Sequence, residues 1–211
     1  MHPVSLPGEA TVQGRRERKK LATRAAVRDA ALSLAIRHGI ENVTVEQIAA
    51  EADIAVRTFF NHFSSKEEAV ISVAAAGAEA LITEFRRRPA GESVPEALRQ
   101  AVFVAMESHD EAGRDYVKTL QLIRRAPSLV PWQMAVLTAQ ESALADVIAE
   151  RLGLTEPTAR YPLLCAAMAL AALRIALDRW LDQVPQHDPP RLDVFRAEID
   201  GAIAQLETGL A

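Results

Sequence analysis

Two helix-capping signals, one at Thr44 and one at Ser64, constrain this chain more than any other feature of its sequence. In the first, Thr44-Val45-Glu46-Gln47, the threonine hydroxyl can accept from the Gln47 amide while the glutamine side chain reaches back. The second, Ser64-Ser65-Lys66-Glu67, repeats the pattern and opens a longer helix. Between them, Ala52-Asp53-Ile54 predicts a tight turn, because aspartate adopts left-handed backbone more readily than most residues. The interval therefore predicts a helix-turn-helix at about residues 44–62.

The rest of the chain also predicts helices. Alanine and leucine dominate, aromatic residues make up 5%, and β-branched residues form no alternating runs, so helix is favoured over sheet. We predict an all-α fold, with three short helices in front and larger helices behind. Gly39 ends the first helix, and the helix from Ser64 should run to about Arg87. The later helices are expected at about 94–108, 112–125, 128–152, 156–183 and 191–208.

Composition and motifs exclude several classes of protein. The single cysteine, Cys165, suits a reducing cytoplasm. The most apolar stretch, Leu163 to Leu177, contains Arg174 and is shorter than the roughly 20 residues of a membrane span, so we predict a buried helix and no membrane partner. No glycine-rich phosphate loop, serine elbow or metal-spaced cluster occurs, so we expect neither an enzyme nor a cofactor or metal site.

Charge is distributed unevenly along the chain. The net charge is −4, yet residues 15–28 hold seven cations against the single Glu17. A basic N-terminal segment on an acidic body fits a protein in which one end meets phosphate, although a solvated basic helix is the alternative. We divide the chain into a disordered leader (1–14), a helix-turn-helix DNA-binding domain (15–63) and a ligand-binding and dimerisation domain (64–211).

The stretches 39–49 (GIENVTVEQIA) and 56–67 (VRTFFNHFSSKE) closely resemble the DNA-binding domain of the TetR family of bacterial repressors. The resemblance covers about residues 20–70, a third of the chain. It implies an N-terminal three-helix DNA-binding domain, followed by a C-terminal helical domain that binds an effector and forms a homodimer. It therefore predicts a cytoplasmic bacterial regulator with three partners, namely a double-stranded DNA operator, a small-molecule effector and a second copy of the chain.

The resemblance implies DNA contacts from the helix-turn-helix and its flanks, at Thr44, Arg57, Thr58, Phe60, Asn61, His62 and Lys66. Arg57 begins the second helix and could reach guanine O6 and N7, unless it is only solvated. Thr44 caps a helix whose first amides can meet phosphate, or it is only a cap. His62 and Lys66 match positions that usually touch the DNA backbone. The leader cations should add salt-sensitive affinity through Arg15, Arg16, Lys19 and Lys20.

Three residues depart from the family pattern. Phe60 stands where the family usually has a tyrosine that donates its hydroxyl to phosphate, so only apolar contact or packing remains. Asp53 stands at a common glycine, and Ala55 replaces the usual Ser or Thr cap, whose loss costs about 1 kcal/mol. These changes keep an alternative open, namely an all-α adaptor with a vestigial DNA-binding domain. An activator would use the same residues as a repressor.

The larger domain has two predicted tasks. Similarity to the family implies dimerisation through the last two long helices, at Ala166, Ala169, Leu170, Leu173, Leu177, Ile199, Ile203 and Leu206; an intrachain core is the alternative. We expect the effector to meet bulky residues of the middle helices and one cation, namely Phe103, Met106, Tyr116, Leu120, Trp132, Leu137 and Arg174. Taken singly, each of the bulky residues is more typical of a core than of a pocket. Trp180 with Arg174 resembles family members thought to sense acyl-CoA or fatty acyl ligands.

Overall fold

The computed structural model describes residues 7–107, 112–154, 160–183 and 192–208. Within them the chain forms α-helices and two single 3-10 turns, Ile40–Asn42 and Pro127–Leu129, and no β-strand, so the all-α prediction is confirmed. The α-helices are α1 (Pro7–His38), α2 (Val45–Glu51), α3 (Val56–Phe60), α4 (Lys66–Arg87), α5 (Val94–Glu107), α6 (Ala112–Arg125), α7 (Val130–Arg151), α8 (Arg160–Gln183) and α9 (Leu192–Thr208).

The turn between α2 and α3 is a helix C-cap built around Asp53. The Ile54 amide donates to the Ala49 carbonyl at 2.9 Å and the Asp53 amide to the Ala50 carbonyl at 3.2 Å, which are the two bonds of a Schellman motif. Asp53 supplies the required left-handed residue with φ of 52°. The helix-turn-helix predicted at 44–62 is therefore confirmed, with α3 starting from Ala55 without a side-chain cap.

The first capping box is confirmed and the second is shifted by one residue. The Gln47 amide donates to the Thr44 hydroxyl at 3.3 Å, and the Thr44 amide donates to Gln47 Oε1 at 2.9 Å. At the start of α4, however, the cap is Ser65, whose hydroxyl accepts from the Glu68 amide at 3.1 Å. The expected pairing of Ser64 with Glu67 is wrong, because Glu68 instead accepts from the amide and hydroxyl of Ser64.

Helix α1 begins at Pro7, inside the segment 1–14 that was expected to be disordered. Proline suits the first helical turn because its missing amide hydrogen would have no helical partner there. The glycines of that segment lower helix propensity by about 1 kcal/mol each, which does not by itself end a long helix. Residues 1–6 lie outside the described residues.

Two apolar cores hold the molecule together. The larger lies among α4–α9 around Phe85, Leu144 and Trp180, each fully buried. The smaller lies under the helix-turn-helix around Phe59 and Phe63, and it includes Ile123 and Leu129 from the end of α6 and the 3-10 turn that follows. The N-terminal unit is therefore packed against the body beyond the single connection through α4.

Helix α8 is buried on one side only. Tyr161, Leu164, Met168 and Ile175 expose 59%, 60%, 44% and 50% of their surface. Their spacing of three, four and seven residues places them on one face. By length and composition α8 could cross a membrane, with 28% of its most apolar window buried, so the expectation of a buried helix is only half right. Its apolar outer face is available for a partner.

Replacing Asp53 by glycine should stabilise the protein by about 0.5–1 kcal/mol, because glycine reaches the left-handed conformation without the penalty of a side chain. Thermal unfolding would show the gain as a higher Tm. The matched control is Asp146→Gly on the exposed side of α7, which should lower stability by a few tenths of a kcal/mol. A lower Tm for Asp53→Gly would mean that its carboxylate stabilises the turn.

Candidate functional site

The second helix of the helix-turn-helix presents an open surface. Arg57 and Asn61 are exposed, Thr58 is half-buried, and Phe60 exposes 55% of its surface. Within the described residues Arg57 makes no hydrogen bond or ion pair, so its guanidinium is available to a ligand. Phe59 packs inward and meets the Phe60 ring edge to face, with centroids 5.4 Å apart. Helix α3 is thus anchored to the core by its buried face, and the side chains predicted to read bases lie on its solvent-facing side.

The basic part of α1 reaches the end of this helix. Arg24 donates from Nη1 to the His62 carbonyl at 2.8 Å and stacks over the Phe63 ring at 4.3 Å. Sequence reasoning had not singled out Arg24 for this role, although its spacing of four from Lys20 places both on one helix face. The predicted contact residues of this helix, all exposed, are Arg15, Arg16, Lys19 and Lys20. The structure therefore joins the basic segment to the helix-turn-helix.

His62 is less suited to a charged phosphate contact than predicted. Burial, together with the nearby charges of Arg24 and Lys20, lowers its pKa below the ordinary value. The imidazole is therefore mostly neutral at neutral pH. Its Nδ1 atom is buried and has no hydrogen-bond partner within the described residues.

Lys66 serves the fold in a way the sequence did not predict. Its ammonium donates to the carbonyls of Ile40 and Val43, both at 2.8 Å. These carbonyls belong to the turn between α1 and α2, so Lys66 fixes the start of α4 to the helix-turn-helix. Two of its three donors are thus used internally, which leaves one for the predicted phosphate contact.

A cavity of about 180 Å³ lies in the C-terminal bundle, and α1 closes one side of it. Four of the predicted effector residues line it, namely Met106, Leu120, Leu137 and Arg174. Phe103 does not line it, because its ring is buried in the larger core near Arg99 and Arg196. Trp132 packs against the smaller core, and Trp180 is fully buried beside Phe195. The side chain of Tyr116 lies outside the part of the chain that the structure describes.

Polar residues in the cavity wall were missed by the sequence analysis. Arg28 and Asp29 of α1 reach the cavity and pair with each other at 3.0 Å. Gln133 and Gln140 of α7 add two amides. No local sequence signal identifies these residues, because only the packing of α1 against α4 and α6 brings them to the same cavity as residues of α7 and α8. The DNA-binding unit therefore forms part of the wall of the cavity.

The predicted dimer residues pack within this chain. Ala166, Leu170, Leu177 and Ile199 are buried in the chain's own core, and Ala169, Leu173 and Ile203 pack against it. Leu170, Leu173 and Leu177 also line the cavity. The side chain of Leu206 lies outside the described residues. These positions thus contribute to the intrachain core, while their role in a dimer stays a prediction. Both faces of α8 are apolar, and the sequence alone did not indicate which one packs inward.

Comparison with known proteins agrees with this architecture. Residues 27–73 match the model of the tetR family of bacterial regulatory proteins, and residues 92–211 match the MftR C-terminal domain. The HTH-type transcriptional regulator TcmR of Streptomyces glaucescens is 32% identical over 173 residues, covering 79% of this chain and 76% of that protein. MftR of Mycobacterium tuberculosis, assigned to the regulation of mycofactocin biosynthesis, is 28% identical over 180 residues, covering 83% and 86%.

Solved structures show the same fold. A complex of SmeT with triclosan superposes with a TM-score of 0.59 at 22% identity, covering 87% of this chain and 90% of that chain. The fatty acid degradation regulator FadR from Bacillus halodurans gives 0.58 at 18% identity, covering 89% and 96%.

The helix-turn-helix, the basic first helix and the cavity-containing bundle define a DNA-binding transcriptional regulator. The chain belongs to the TetR family. Regulators of this family bind DNA as dimers, bind small-molecule effectors and are not enzymes.

Proposed function

We propose that the protein is a cytoplasmic repressor that binds a palindromic operator as a homodimer and is released by a small, mainly hydrophobic effector. The observation that carries this proposal is the cavity wall, to which α1 contributes Arg28 and Asp29. A ligand in that cavity would touch the helix that carries the basic segment and packs on the helix-turn-helix. Effector and DNA binding would then compete through one helix.

The DNA contacts are assigned from exposure and chemistry. Arg57, Thr58 and Asn61 would read base edges, with Arg57 bidentate to a guanine. Phe60, more than half exposed, would contact a sugar or a thymine methyl. Thr44 and Lys66 would approach phosphate, and the cations of α1 would follow the backbone.

The exposed face of α8 is the proposed dimer interface, in place of the buried face that the sequence indicated. Tyr161, Leu164, Met168 and Ile175 form an apolar stripe on this face. An isologous contact through such a stripe would place two recognition helices in the same assembly. The two half-sites of a palindrome lie about 34–36 Å apart, one turn of DNA, so both helices must hold a fixed separation.

Effector binding would change that separation. Val73, Gly77 and Leu81 of α4 line the cavity, and Lys66 holds the start of α4 to the helix-turn-helix. A ligand that prefers the conformation with misplaced recognition helices would lower the population able to bind DNA. Acyl-CoA and fatty acyl compounds are the first candidates, because the wall is mainly apolar and carries Arg174.

Fluorescence anisotropy with promoter DNA flanking the protein's own gene tests the DNA-binding proposal. Arg57→Ala should weaken operator binding by about 1–3 kcal/mol and relax specificity at one base pair. The control is Arg86→Ala, which removes a surface cation at the far end of α4 and should leave affinity unchanged.

The same titration separates the proposal from its rival. Operator affinity should fall steeply as salt rises, since phosphate contacts release counterions. Phe60 without a hydroxyl and Ala55 without a capping side chain favour an adaptor with a vestigial DNA-binding domain. Binding that ignores both sequence and salt would support that rival and refute the repressor.

A further inference from the structure

The effector cavity shares part of its wall with a second cavity. This second cavity of about 310 Å³ lies in the C-terminal bundle, and the exposed side chains Tyr161 and Met168 of α8 form one edge of it. Four aliphatic residues line both cavities, namely Leu81, Val102, Leu170 and Leu173. Aliphatic side chains in such a partition move by rotamer changes, which cost far less than moving a helix.

The order of lining residues places the two cavities end to end. Along α5, Val94 and Leu98 line the second cavity, Val102 lines both, and Met106 lines the first. The same order occurs along α7, where Leu144 lines the second cavity and Leu137 the first. It recurs along α9, with Ile203 at the second and Phe195 at the first.

Helices on several sides thus pass from one cavity to the other, so the joint space follows the bundle axis. The segment of α5 from Val94 to Met106 alone rises about 18 Å at 1.5 Å per residue.

The two ends of this space differ in chemistry. The first cavity contains Arg28, Asp29, Gln133, Gln140 and Arg174 in its wall. Both of its guanidiniums have exposed carboxylate partners, Asp29 at 3.0 Å from Arg28 and Asp178 at 3.7 Å from Arg174. A ligand with a negative group can take the place of these partners, most easily at the longer pair of Arg174.

The second cavity is lined by aliphatic side chains, with Tyr161 and Cys165 at its polar margin. These two side chains are hydrogen-bonded to each other, which raises the pKa of Tyr161. Because the polar atoms of these two side chains bond to each other, the interior of the second cavity suits a hydrocarbon chain.

We propose that the joint space binds a single-chain amphiphile, with its anionic head group at Arg28 and Arg174. Its apolar chain passes the partition of Leu81, Val102, Leu170 and Leu173 into the second cavity. This inference rests on the proposed function, because it names the class of effector for the same site. It also gives the second cavity a role, namely to select ligands by chain length.

Straight-chain fatty acids from hexanoate to myristate are the probes, titrated calorimetrically onto the DNA-free protein. Affinity should rise about 4-fold for each added methylene group while the chain continues to enter apolar space. Val94→Phe fills the second cavity and should weaken myristate at least 10-fold while leaving hexanoate unchanged. Ile203→Phe, on another helix of the same cavity, should do the same and guards against a folding defect in the first variant.

Two controls define the other end. Ala105→Phe, in the wall of the first cavity only, should weaken short and long chains alike. Arg174→Gln should weaken dodecanoate about 10-fold without changing the affinity for dodecanol. Affinity that stops rising at octanoate, or myristate binding that both second-cavity variants leave intact, would overturn the inference.

Release of operator DNA is measured separately with the same fatty acids. Chain-length-dependent binding without DNA release would contradict the proposed effector role while leaving the assignment of the joint space standing. DNA release by an unrelated ligand, with no chain-length dependence among fatty acids, would support the proposed function and contradict the assignment of the joint space.

Discussion

Leu164→Glu combined with Ile175→Glu should convert the protein into a monomer that no longer recognises its operator. The two side chains expose 60% and 50% of their surface on the outer face of α8, and neither lines a cavity. In an isologous dimer each substitution would bury a carboxylate twice against apolar surface, which costs several kcal/mol. Operator affinity should fall toward the non-specific level, a loss on the order of 1,000-fold.

Sedimentation velocity would report the mass, and anisotropy the operator affinity. The matched control is Leu152→Glu with Leu154→Glu, two leucines exposed by 43% and 42% just after the end of α7. This pair should leave the dimer intact. If the α8 variant remains a dimer of normal affinity, the interface lies elsewhere on the molecule.

Lys66→Met should destabilise the protein by about 2–3 kcal/mol, because two carbonyls lose a charged donor in a partly buried place. Chemical denaturation followed by circular dichroism would measure the loss. Lys20→Met, which removes an exposed lysine of α1, should change stability by less than about 0.5 kcal/mol.

The same Lys66 variant tests the contact with phosphate. Operator binding should be measured at a temperature where the variant is fully folded. A uniform loss of affinity for all sequences would support a phosphate contact from its third donor. Unchanged stability together with weakened binding would instead show that the two carbonyl bonds contribute nothing and that Lys66 acts on DNA alone.

Local signals predicted the helix-turn-helix well. The Thr44 box is defined by residues three positions apart, and Asp53 is one of few residue types that tolerate a left-handed turn. At Ser64 and Ser65 two adjacent serines could each serve as the cap. In the structure Ser65 is the cap, and the Glu68 carboxylate accepts a hydrogen bond from Ser64. The sequence pattern alone does not indicate which of the two serines caps the helix.

The C-terminal domain was harder to predict because its signals are not local. Helix α8 carries apolar residues on both faces, so burial of Leu170 and exposure of Leu164 depend on where α7 and α9 pack. Large side chains such as Phe103 and Trp132 were expected at the effector, yet Phe103 is buried in the larger core and Trp132 packs against the smaller one. Arg28 lines the cavity because the two domains are in contact, and helical periodicity within α1 does not predict such a contact.

The placement of Arg28 and Asp29 also limits how this regulator can be taken apart. Engineers often treat the DNA-reading head and the sensing body of such proteins as interchangeable modules. Here an exchange of residues 1–63 would remove both residues from the cavity wall and uncover Ile123 and Leu129 of the body. A working chimera would have to keep these contacts between the two domains, so the whole chain has to be designed together.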